Sequence, residues 1–168
     1  MERSEERLRV GGFSNGEIAR VFEAVPVATH NQRGIGTLHV GCPEGCTDAL
    51  EAETLLEIVE TAMSSEIYEL MKRSDEVEVV EKAHLRPRFV EDCVREMVRM
   101  AADRFAFLGD DAFVSARQEN LETIHKHSVV AERHGLIGEL VREIESGEQA
   151  ARHVTVRDWL EAGPPRIL

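Results

Sequence analysis

Apolar positions recur at helical spacing in several stretches and alternate at strand spacing in two. Ile18, Val21, Phe22 and Val25 mark one face of a helix that Ser14 opens, with Glu17 three residues on completing a capping box. A short charged helix over 3–10 and a Gly11-Gly12 break precede it, and Pro26 ends it. Leu55, Val59, Ala62 and Met63 predict a second long helix, entered through Asp48 and Glu51 and running to about Arg73, with a break near Ser64-Ser65. A charged connector from Ser74 to Lys82 leads to Pro87. There the third helix starts, with Phe89, Cys93, Met97 and Met100 beside Val90, Val94 and Val98. So wide an apolar face suits packing against both a sheet and a neighbouring helix. Residues 35–40 alternate as a strand, with Ile35, Thr37 and His39 on one side and Leu38 and Val40 on the other. After the turn Gly109-Asp110-Asp111, residues 112–117 form the next strand. Ile137, Leu140, Val141 and Ile144 mark a helix from Leu136. Thr155 and Asp158 start a last short one through Trp159 and Leu160, stopped by Gly163-Pro164-Pro165. Docking on the domain or on another subunit is the economical role for that tail.

Length and charge narrow the classes. At 168 residues, 42% hydrophobic and 31% charged, the chain reads as one domain: a helical lead-in over 1–25, a central module over 26–134 and a helical tail over 135–168. No run approaches the roughly 18 apolar residues of a membrane span, and the acidic start lacks the layout of a secretion signal. A net charge of -12 argues against nucleic acid and anionic membranes as partners. Cys42, Cys46 and Cys93 leave an odd thiol, which suits a reducing compartment and a cytoplasmic location. His39, Cys42 and Cys46 have a spacing that could hold a soft metal if a fourth ligand came from elsewhere. The alternative is a strand histidine and two small buried thiols.

Candidate chemistry concentrates in Arg117-Gln118-Glu119-Asn120-Leu121-Glu122-Thr123-Ile124-His125-Lys126-His127. In a helical turn Glu122 and His125 share a face; in an extended chain His125 and His127 point the same way. Either geometry converges metal-binding or proton-transfer groups, and a solvated charged turn leaving a strand is the competing reading. A second polar stretch, Thr29-His30-Asn31-Gln32-Arg33-Gly34, lies far upstream.

These two stretches, with Val27-Ala28 before the first and with Arg88-Phe89-Val90-Glu91-Asp92 between them, resemble in order the C-terminal half of the archaeal GTP cyclohydrolases of the MptA family and their bacterial type IB relatives. The resemblance spans about Ala24 to His134. It implies an α+β tunnelling fold (T-fold): an antiparallel sheet backed by two long helices, assembling into a homo-oligomer with active sites at module interfaces. It implies metal-dependent opening of the guanine imidazole ring of GTP, giving a dihydroneopterin cyclic phosphate on the way to methanopterin, with Fe2+ as the usual metal and Zn2+ or Mn2+ as others. His30 matches the family's metal-binding histidine, and the connector glutamate aligns with Glu76 or Glu81, Glu76 being preferred. His125 falls on the histidine of the Glu-x-x-His turn, as metal neighbour or proton donor, with His127 as a second proton-transfer candidate. Glu122 is the carboxylate that accepts from the guanine N–H and exocyclic amine in parallel. Arg33 and Gln32 are phosphate or ribose contacts.

One departure bears on the metal. The family places a metal-binding cysteine in a Cys-Pro segment upstream of the histidine, and none of the 29 residues before His30 is Cys. The chain therefore reads as the second part of the enzyme, completed by oligomerisation or by a partner chain supplying the first module. Otherwise it is a non-catalytic fragment that binds a purine or pterin weakly, or only assembles.

Overall fold

The structure is a computed structural model and describes residues 2–25, 30–47, 49–148 and 153–162. Along the chain run α1 (Glu2–Val10), α2 (Asn15–Ala24), β1 (Arg33–Gly41), α3 (Ala52–Ala62), α4 (Arg73–Leu85), α5 (Val90–Arg104), a 3-10 turn (Ala106–Leu108), β2 (Phe113–Leu121), β3 (Val129–Leu136), α6 (Ile137–Ser146) and α7 (Val156–Ala162). The three strands form one antiparallel sheet in the order β1-β2-β3. The fold is α+β, as expected.

The register decides which residues face the helices. Val40 pairs with Val114, Leu38 with Ala116, Gly36 with Gln118 and Gly34 with Asn120, so all of these share one face. α5 crosses that face against β2 and β3, α3 lies beside it against β1, and α6 packs on the far end of α5. The core forms there. Ile58, Cys93, Val94, Met97, Ala101, Val114, Ala116 and Leu140 are buried together, with Leu38 and Val40 packed against them. The apolar stripe of α5 is the one read from spacing except at Phe89, which is the exposed N-cap residue, 78% accessible, rather than part of the stripe.

Two segments differ from expectation. The stretch from Ser74 to Lys82 is not a connector but most of α4, because its charges suit a helix: Asp75 and Glu76 occupy the first turn, Lys82 and His84 the last, and Asp75 Oδ2 accepts from the Lys72 N–H at 2.9 Å. The predicted long helix ends at Ala62, where the Ser64-Ser65 break was expected, instead of continuing to Arg73. Its terminal carbonyls are taken by Arg86, 2.8 Å to Thr61 O, and Arg88, 2.6 Å to Ala62 O. Pro87 precedes α5 rather than opening it, and Asp48 lies outside the described residues. β2 runs four residues past Arg117, to Leu121, and β3 is a strand that spacing alone does not announce.

The helices at the ends of the chain follow their capping residues. Ser14 and Glu17 make the reciprocal box of α2, and Thr155 and Asp158 the same for α7. Of the predicted α2 face only Ile18 is buried; Val25 is exposed. The tail docks on its own domain. The Trp159 ring covers Gly41, where a Cβ would stand 2.7 Å from it, lies 5.7 Å from the Phe113 ring, and donates from Nε1 to Asp111 O at 2.8 Å. Among the described residues no helix is long and apolar enough to cross a membrane.

Candidate active site

The helix-facing side of the sheet changes character along its length. Past Leu38 and Ala116 the paired residues are glycines and amides: Gly36 opposite Gln118, then Gly34 opposite Asn120. Extending the antiparallel register one pair further sets Gln32 opposite Glu122, and Gln32 Nε2 donates to Glu122 Oε1 at 2.9 Å. His30 continues the line, its Nε2 3.0 Å from Gln32 Oε1. Since the Gln32 amide nitrogen is turned to Glu122, its oxygen accepts from His30. A neutral His30 ring then carries its proton on Nε2 and its lone pair on Nδ1. Thr123 Oγ1 donates to Asn31 O at 3.0 Å and ties the two loops together.

The polar end of the sheet thus joins three of the residues singled out in the sequence, His30, Gln32 and Glu122, across 92 positions of chain. Glu122 and Gln32 are half-buried, so the carboxylate is partly sheltered from competing water. His125 and His127 lie in the exposed turn between β2 and β3, their rings 5.6 Å apart and stacked. The chain there bends without forming a helix, so the two imidazoles, rather than Glu122 and His125, come out side by side. Arg33 begins β1 on the opposite face from Gln32, paired with Leu121 and exposed. Glu76 and Glu81 stand exposed on α4, which buries none of its residues. Among the described residues no three His, Cys, Asp or Glu side chains gather as a metal site. Cys42 and Cys46 pack against the core, and His39 is exposed on the outer face.

Two participants went unassigned in the sequence. Gln118 is 1% exposed and donates from Nε2 to Asn120 Oδ1 at 3.0 Å. The signal was present: Gln118, Asn120 and Glu122 are spaced two apart, which in a strand puts them on one face. Away from this end the electrostatics are structural. The Lys82 ammonium, 2.5 Å from Glu66, holds that carboxyl down to about 2, and burial pushes the Cys93 thiol up.

Comparison with known proteins agrees with the order of the motifs. A family profile described as "Type I GTP cyclohydrolase folE2" matches residues 4–131. GTP cyclohydrolase MptA of Methanococcus maripaludis (strain C6) is 47% identical over 139 residues, 83% of this chain and 44% of that protein. MptA of Methanococcus vannielii is 46% identical over 144 residues, covering 86% and 46%, and that of Methanocaldococcus jannaschii 43% over 143, covering 85% and 45%. The chain spans a little under half the length of these relatives. On the profile match and these identities, it belongs to the type I GTP cyclohydrolase folE2 family.

Proposed function

We propose that the chain is the part of a GTP cyclohydrolase that recognises the guanine base, and that it works in pterin and methanopterin biosynthesis, where GTP becomes a dihydroneopterin cyclic phosphate. The observation carrying this reading is the hydrogen-bonded line His30, Gln32, Glu122 at the polar end of the sheet. Gln32 engages one carboxylate oxygen of Glu122 and fixes the plane of the group. A carboxylate so held accepts in parallel from the N1–H and the exocyclic amine of guanine, whereas adenine offers an acceptor at N1 and repels it. His125 and His127, exposed beside Glu122 in sequence, are the candidates for moving a proton at the opening ring.

A metal shell, on this reading, draws on more than one chain. His30 offers an imidazole, Glu76 or Glu81 a carboxylate, and His125 a second imidazole, a donor set that suits Fe2+ and also Zn2+ or Mn2+. Such a cation, once held, would supply a hydrolytic nucleophile near neutral pH. Since no three such side chains gather among the described residues, the shell is proposed to close only when another copy, or a chain carrying the first module, contributes to it. Assembly of this kind is what a T-fold module does. It is supported by the exposed Val77 and Leu85 of α4, by Ile35, Leu121 and Val130 on the outer sheet face, and by the edges of β1 and β3, which have no neighbouring strand among the described residues.

The same absence of a gathered donor set favours one second reading, a non-catalytic module that binds the base and assembles. Anaerobic incubation with Fe2+ and GTP, read by pterin absorbance and formate, separates the two. Product is expected from the assembled protein, and lower metal content after His30→Ala; GTP binding without product at high enzyme concentration supports the module reading.

A further inference from the structure

The polar line does not begin at Glu122 but two pairs deeper. Gln118 sits among core side chains, 1% exposed, and its Oε1 meets no hydrogen-bond donor among the described residues. An amide buried in this way costs stability relative to an apolar side chain of the same shape. The fold has made room for it nonetheless: a Cβ on Gly34 would stand 2.5 Å from Gln118 Nε2, and one on Gly36 would stand 3.2 Å from Gln118 Oε1. The bond this amide does make, from Nε2 to Asn120 Oδ1 at 3.0 Å, fixes the rotation of Asn120. With its oxygen held by Gln118, the Asn120 amide carries its Nδ2 donor on the side away from Gln118.

We propose that Asn120 is a substrate-binding residue that donates to the carbonyl oxygen of a guanine base, with Gln118 as the positioning residue that keeps its donor outward. This rests on the reading of Glu122 given above. The edge of guanine presents an amine, an N–H and a carbonyl in sequence. A carboxylate takes the first two, and a donor one step along the same strand face takes the third. Adenine presents an amine where Asn120 needs an acceptor, so the two residues reject it independently. Inosine keeps the N–H and carbonyl and lacks only the amine.

Calorimetric titration of the full chain with GTP and ITP tests the assignment. Asn120→Ala is expected to weaken both nucleotides about five- to tenfold, the loss of one hydrogen bond. Gln118→Met is expected to weaken GTP several-fold while the melting temperature holds or rises, because a thioether chain suits the neighbouring Val59 and Met63. The double variant is expected to bind no more weakly than Asn120→Ala alone. Unchanged affinity in Asn120→Ala beside a large loss in Glu122→Gln overturns the Asn120 assignment and leaves the guanine reading standing. An affinity in Gln118→Met that falls only in step with melting temperature overturns the positioning role, and a parent chain that binds neither nucleotide overturns both readings together.

Discussion

The two ends of one sheet face obey opposite rules. At one end Val40, Val114, Leu38 and Ala116 meet α5 as an ordinary apolar layer. At the other, on the same strands, Gly36, Gly34 and Gln32 lie opposite Gln118, Asn120 and Glu122. The first end gains stability by removing apolar surface from water. The second gives some of it up, with a buried amide oxygen that meets no donor among the described residues and two glycines in the strand. Costs accepted at one end of a sheet face and not at the other are the kind that functional sites carry, in keeping with the proposed guanine site.

Variants at each end sharpen the contrast. The largest expected effect is at the apolar end, where Met97 is fully buried: Met97→Ala is expected to cost about 2–5 kcal/mol in denaturant unfolding with GTP affinity unchanged in the folded protein. A loss of affinity without a loss of stability would break the separation. Gly34→Ala comes next. Its Cβ would crowd Gln118 Nε2 at 2.5 Å and Met63 Cε at 2.8 Å, and the expected cost is about 1–3 kcal/mol with GTP weakened as well. Equal affinity in that variant would show that the amide line is not part of the site.

The smallest effect lies outside both ends. Glu66, bound by Lys82 and by the Tyr68 hydroxyl, titrates at about 2 instead of 4.5. Its carboxyl is therefore depressed on folding, so the pair stabilises fully above the ordinary carboxylate pKa, and the contribution is lost as pH falls from there towards 2. Lys82 is 43% exposed, and solvent screening keeps the contribution small. Lys82→Ala is expected to reduce the acid-side loss of stability, read from urea midpoints at neutral and acid pH, and to leave GTP affinity alone.

Local signals reached the surface elements and the core helix. Ser14 with Glu17 and Thr155 with Asp158 announce α2 and α7, because a cap is a contact within four residues. Cys93, Met97 and Val94 announce α5 because a wide apolar stripe has few other uses. Charge density misled at α4, where Glu and Lys favour a helix as readily as a loop. β3 was hidden because Arg133 occupies a position facing the helices, which is tolerable only beside Glu143 of α6, a partner that no local window shows. The family motifs brought His30, Gln32 and Glu122 forward, and the structure joins them. Gln118 shows its strand face in its spacing with Asn120 and Glu122, but its burial is tertiary: it rests on Gly36 opposite it and Gly34 diagonal to it, both more than 80 residues away.

Glu122 is the side chain proposed to select guanine at the polar end of the sheet. Affinities for GTP and ATP, measured by calorimetry on the parent and on Glu122→Gln, test this directly. The parent is expected to prefer GTP by about tenfold or more, and the variant to lose that preference at an unchanged melting temperature. An undiminished preference in the variant would contradict the account.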